Sequence, residues 1–96
     1  MKNLNEIKQI LDKNKKQLEK KYHVSRIGIF GSFSRNEVTD KSDIDILVEF
    51  SQPIGLDFVL LADELEILLG NKVDLVSSKA IKPGMKKYIE EDLIYV

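Results

Sequence analysis

Two aspartates one residue apart, Asp43 and Asp45, stand at the head of an apolar run from Ile44 to Phe50. Successive side chains of a strand point to opposite faces, so the two carboxylates project from one face with Cα atoms roughly 6.5 Å apart. Held about 5 Å apart at an effective dielectric near 20, two such charges repel by roughly 3 kcal/mol, a penalty that a bound divalent cation removes. Oxygen-only ligands suit Mg²⁺ or Mn²⁺, and Mg²⁺ is commonly shared between one or two carboxylates and substrate phosphates. The pair therefore asks for a metal ion and a nucleoside triphosphate. Ile44, Ile46, Val48 and Phe50 alternate against the acids and predict a buried face behind them.

A second group lies just upstream, where the β-rich run Val24 to Phe30 stops at Gly31 and Ser32. Glycine lets the backbone approach a ligand closely, and a serine hydroxyl donates to a phosphate oxygen. A helical turn starting near Ser32 would add free N–H groups to the anion site. Arg35 offers a fork for phosphate from the same segment. Alone, Gly-Ser is an ordinary turn and Arg35 a surface charge. A short loop before Asp-x-Asp on the next strand, they read as a phosphate site. Ser42, immediately before the acids, joins Gly31, Ser32 and Arg35 as a candidate phosphate contact.

Gly31-Ser32-Phe33-Ser34-Arg35 and Ser42-Asp43-Ile44-Asp45-Ile46-Leu47-Val48-Glu49-Phe50 resemble the nucleotidyltransferase superfamily that includes DNA polymerase β. They are closer still to the minimal nucleotidyltransferase (MNT) family, with its Gly-Ser-x-Ala-Arg-Gly segment followed by Ser-Asp-Ile-Asp-Leu-Leu-Val-Glu-Phe. Ser34 stands where alanine is common, and Asn36 where glycine is common. Asn tolerates left-handed backbone angles better than most residues, so the turn is expected to survive. The superfamily also carries a third carboxylate on a later strand, which Asp74 supplies within Lys72-Val73-Asp74-Leu75-Val76. The resemblance implies that Asp43, Asp45 and Asp74 form the catalytic and metal-binding set, Asp43 and Asp45 holding Mg²⁺ (or Mn²⁺) and Asp74 helping to activate the incoming hydroxyl. It implies ATP as substrate.

Positioning these residues requires several elements. Leu4, Ile7, Leu11, Leu18 and Tyr22 share a helical face, and Asn3 with Glu6 forms a capping pair before it. A second helix is predicted from about Leu56 to Leu69, stopping at Gly70, with Phe58, Leu61, Ala62, Leu65 and Leu68 toward the core. Leu56, Leu60 and Ile67 add a further apolar stripe that suits a partner. Pro83 starts a third helix, and Leu93 to Val96 an edge strand. His23 reads as a junction residue between helix and strand. The expected fold is α/β: a small mixed β-sheet with helices packed on one face, a polymerase β-like nucleotidyltransferase fold spanning residues 1–96 as one domain.

At 96 residues and 43% hydrophobic content the chain suits a single modest core. The absence of cysteine excludes disulfides and thiolate metal sites, and no run is apolar enough for a membrane; a cytoplasmic protein is the expectation. A net charge of −1 does not suit broad nucleic-acid binding, so nucleic acid is not expected as a direct ligand. With no second substrate domain anticipated, the acceptor is expected to be presented by another protein or to be small. The MNT resemblance implies that this partner is a cognate HEPN-family RNase toxin, with which the chain could form an oligomer. AMP would pass from ATP to a toxin tyrosine, with pyrophosphate released, neutralising the toxin as an antitoxin does. Two alternatives stand beside it: neutralisation by binding alone, and transfer of a nucleotide to a small hydroxylated molecule.

Overall fold

Asn3 opens the first helix by accepting the Glu6 N–H on Oδ1 at 2.9 Å, which satisfies one of the free donors at a helix start. Helix α1 then runs Leu4–Tyr22 and ends at His23, whose left-handed conformation (φ 58°) turns the chain directly into the first strand. The computed structural model describes residues 2–96. After α1 come β1 (Val24–Phe30), β2 (Ile44–Phe50), α2 (Asp57–Leu69), β3 (Val73–Ser77), a 3₁₀ turn (Ser78–Ala80), α3 (Pro83–Asp92) and β4 (Ile94–Tyr95). No helix among the described residues is long and apolar enough to cross a membrane.

The four strands form one mixed sheet in the order β3-β2-β1-β4. β1 is antiparallel to both β2 and β4, while β2 and β3 run parallel. A parallel pair needs a crossover, and α2 supplies it. Ile29 pairs with Ile46 and Ile27 with Val48, so these four share a face of the sheet. There they meet Ile7, Leu11 and Leu18 of α1 and Leu61, Leu65 and Leu69 of α2 in a closed apolar core. Each such side chain contributes about 1.5–3 kcal/mol when buried. Lys21 and Tyr22 of α1 both donate to Glu64 of α2, tying the two helices together at their exposed edge.

The mixed α/β sheet agrees with the sequence reading, and α3 refines it. α1 and α2 cover the isoleucine-rich face as expected. The opposite face, which carries Asp45, also gains cover farther along, where Leu47 and Ile89 are buried outside the main core. Gly28, paired with Leu47, admits this approach, since a Cβ there would lie only 2.7 Å from Leu93 Cδ1. In α2 the buried residue near the C-terminus is Leu69, where the sequence pointed to Leu68. Leu56 and Ile67 remain 88% and 82% exposed.

Candidate active site

Backbone pairing assembles the acids. Asp45 is opposite Phe30, the last residue of β1, and opposite Asp74 of parallel β3. Laterally paired residues of adjacent strands share a face about 4.8 Å apart. Asp45 and Asp74 are therefore immediate neighbours. Asp43 precedes β2 by one residue and is exposed, so it approaches from the loop and not from the strand the sequence suggested. The Asp45 carboxyl is pushed up to about 6, first by burial and then by the negative charges of Asp74 and Asp43, while Arg35 pulls it the other way. The site thus holds uncompensated negative charge around a half-buried carboxyl.

Gly31 explains how that carboxyl is seated. Its φ of 73° lies in the left-handed region, and a Cβ at this position would collide with Oδ2 of Asp45. Only glycine meets both demands. The chain then coils tightly: the Arg35 N–H donates to the Gly31 carbonyl at 3.1 Å and the Glu37 N–H to the Ser32 carbonyl at 2.9 Å. This is the helical turn anticipated near Ser32. Asn36 leaves it at φ 60°, the left-handed conformation its side chain tolerates. Ser32 is half-buried at its start.

Phe33 was not among the predicted site or core residues, yet it is 1% exposed and packs into the main core. It anchors the turn from beneath. A lone aromatic between two serines was the available signal: a polar turn has no use for it unless one side is buried.

Arg35 and Ser42 are more engaged than their sequence context implied. Arg35 donates from Nε to Glu37 Oε2 at 3.1 Å and from Nη1 to Asp92 Oδ2 at 2.6 Å. The Ser34 hydroxyl donates to the Asp92 carbonyl oxygen. Ser42, expected on phosphate, accepts the Thr39 N–H on its hydroxyl at 2.9 Å, and its carbonyl accepts Asn71 Nδ2 at 3.2 Å. The hydroxyl closes the Thr39–Ser42 turn that delivers Asp43.

Among the described residues, Asp43, Asp45 and Asp74 are not drawn together as one closed ligand set. Their chemistry still fits a hard divalent cation. All donors are carboxylate oxygens, and after burial the charges of Asp74 and Asp43 hold the Asp45 carboxyl up, a repulsion that such an ion would relieve.

Asp45 and Asp74 thus stand side by side on β2 and β3, next to the turn that Gly31 opens. Residues 6–96 match the model of the nucleotidyltransferase domain, and the chain belongs to that family. Within it the chain is a minimal nucleotidyltransferase: its fold superposes with a TM-score of 0.82 and 29% identity on the structure of a putative minimal nucleotidyltransferase, covering 97% of this chain and 95% of that one. A Methanocaldococcus jannaschii protein named a putative protein adenylyltransferase is 62% identical across 100% of both chains. The protein adenylyltransferase MntA of Thermococcus cleftensis is 44% identical over 97% of this chain and 95% of its own length. A crystal structure of a toxin–antitoxin with AMP-PNP matches at 25% identity and a TM-score of 0.71, covering 98% of this chain and 72% of that one.

Proposed function

We propose that this protein is a cytoplasmic antitoxin that transfers AMP from ATP to a tyrosine of a cognate HEPN-family RNase toxin, releasing pyrophosphate. The observation that carries the reading is the Asp45 carboxyl seated on Gly31 with Asp74 and Asp43 beside it. The sequence similarity to protein adenylyltransferases supports the same reaction.

In this reading Asp43 and Asp45 hold Mg²⁺, with Asp74 completing the acidic set. The bound ion would supply charge neutralisation for the triphosphate and for the departing pyrophosphate. Ser32 and the N–H groups of the turn bind triphosphate oxygens, and Arg35 adds positive charge from the same turn. Asp74 accepts the proton of the tyrosyl hydroxyl. The tyrosyl oxygen then bonds to the α-phosphorus, and the bond from that phosphorus to the α,β-bridging oxygen breaks. The product carries bulk and negative charge on the toxin, unfavourable for binding RNA phosphates.

The test is mass spectrometry of the purified toxin after incubation with this chain, ATP and Mg²⁺. Gain of AMP-sized mass on a toxin tyrosine, absent with Asp43→Asn/Asp45→Asn, is expected. Continued toxin inhibition by the double mutant without any mass gain would instead favour neutralisation by binding alone. That second reading draws on the exposed stripe of α2, where Leu56 and Ile67 present apolar surface with no cover among the described residues. Leu56→Ser with Ile67→Ser would then abolish inhibition.

A further inference from the structure

Asp92, the last residue of α3, holds two successive residues of the glycine-serine turn with two different groups. Its backbone carbonyl accepts the Ser34 hydroxyl, and its carboxylate accepts Arg35 Nη1 at 2.6 Å. The contact reaches 57 residues along the chain. It joins the turn to an element that is itself fixed, because Ile89 is buried one turn earlier and Leu93, the next residue, lies against Gly28.

An isolated ion pair of this exposure contributes little to stability. Here the geometry constrains direction. Glu37 takes Arg35 Nε at 3.1 Å while Asp92 takes Nη1, so the guanidinium plane is held at two points. Those bonds use two of the five N–H groups of an arginine and leave three for another acceptor. The Arg35 N–H donates to the Gly31 carbonyl at 3.1 Å, and a Cβ on Gly31 would meet the Asp45 carboxylate, so the arginine belongs to the same turn that borders the acids. Ser34 adds the second tie at the position where the MNT pattern commonly has alanine.

We propose that Asp92 is a positioning residue for the triphosphate, acting through Ser34 and Arg35 to set the turn and direct the remaining N–H groups of Arg35 at phosphate. The inference rests on the adenylyltransferase reading. A group that positions the substrate's phosphates without touching the reacting atoms should alter nucleotide affinity more than the chemical step.

The experiment measures binding of α,β-methylene-ATP with Mg²⁺ by calorimetry, and KM for ATP and kcat with the toxin as acceptor. Wild type, Asp92→Ala, Asp92→Asn, Asp92→Glu and Ser34→Ala are compared, with thermal unfolding of each. For Asp92→Ala the dissociation constant and KM should rise about five- to tenfold, the size of one lost charge-assisted hydrogen bond, with kcat within about twofold. Asp92→Glu should restore most of the loss, and Ser34→Ala should raise KM by about twofold. Should Asp92→Ala fail to fold, the shape-conserving Asp92→Asn must give the same KM-against-kcat split. Unchanged affinity in the Asp92 variants, or a kcat loss that follows thermal stability and is not rescued by Glu, overturns the positioning role. A wild type that does not bind the analogue overturns the adenylyltransferase reading itself, and this inference with it.

Discussion

Strand β2 has two faces that do opposite work. Ile44, Ile46 and Val48 are fully buried beneath α1 and α2. One position away, Asp45 holds a half-buried carboxyl whose ionisation is opposed by burial and by the charges of Asp74 and Asp43. Both faces are set by the same backbone and the same two-residue alternation. The buried face is where β2 gains stability, and the acidic face spends part of that gain on a concentration of negative charge. If the proposed function holds, stability and chemistry are separable by substitutions one residue apart.

The sharpest way to break this comparison is Asp45→Asn. Transfer of AMP to the toxin should fall by at least about a thousandfold, on the scale of losing a principal electrostatic group of an active site. Urea unfolding at neutral pH should show the variant no less stable than wild type. A destabilised variant would mean that Asp45 serves the fold, contrary to the contrast drawn.

On the other face, Ile46→Ala should destabilise the chain by about 2–5 kcal/mol, through lost burial and the cavity left under α1 and α2. Chemical denaturation measures the loss. The fraction that remains folded should keep its kcat, and a large fall in kcat would show that the faces are coupled.

Gly31→Ala falls where the two faces' demands meet. The left-handed φ and the collision with the Asp45 carboxylate should together cost about 1–3 kcal/mol of stability. Activity should drop as well, because relief of the collision moves Asp45. Stability loss with full activity, read from denaturation and transfer assays on the same sample, would break the assignment of Asp45 to the site.

The smallest effect is a pH dependence in the chain kept free of divalent ions with EDTA. Asp45 titrates near 6 when folded against an ordinary value of 3.8. Between those values the folded chain retains a proton that the unfolded chain has released, so raising the pH favours unfolding. The penalty is complete above about 6 and amounts to about 1–2 kcal/mol after allowance for partial exposure. Denaturation midpoints of wild type and Asp45→Asn should therefore diverge from pH 4 to 6.5, wild type losing ground as pH rises. Parallel curves would mean that the carboxyl is not strained.

Much of this arrangement was legible from local rules. Asn3 caps α1, β1 has the bounds read from its β-rich run, α2 ends at Gly70, and Pro83 opens α3. Asn36 adopts the left-handed angle its side chain permits. Each of these depends on interactions within a few residues, which a sequence displays directly. The candidate acids were legible by spacing and by resemblance to the MNT pattern, although their catalytic use is a proposal.

What local rules did not display shares one cause. The Thr39–Ser42 turn, closed on the Ser42 hydroxyl, could not be read from the loop. Phe33 was passed over because it lies in a polar turn, yet the core lies directly beneath that turn. Asp92 carried no local signal, since nothing at the end of α3 indicates that Ser34 and Arg35 lie against it. By itself the sequence determined where elements begin and end and which residues alternate toward a core, because caps, turns and strand period act over a few bonds. That Asp74 joins Asp45 was expected from the resemblance; the tertiary structure alone decided that the two pair directly across β2 and β3, that α3 returns over Leu47, and that Asp92 grips the turn. Those pairings depend on strand order and crossover, which join residues far apart in the chain.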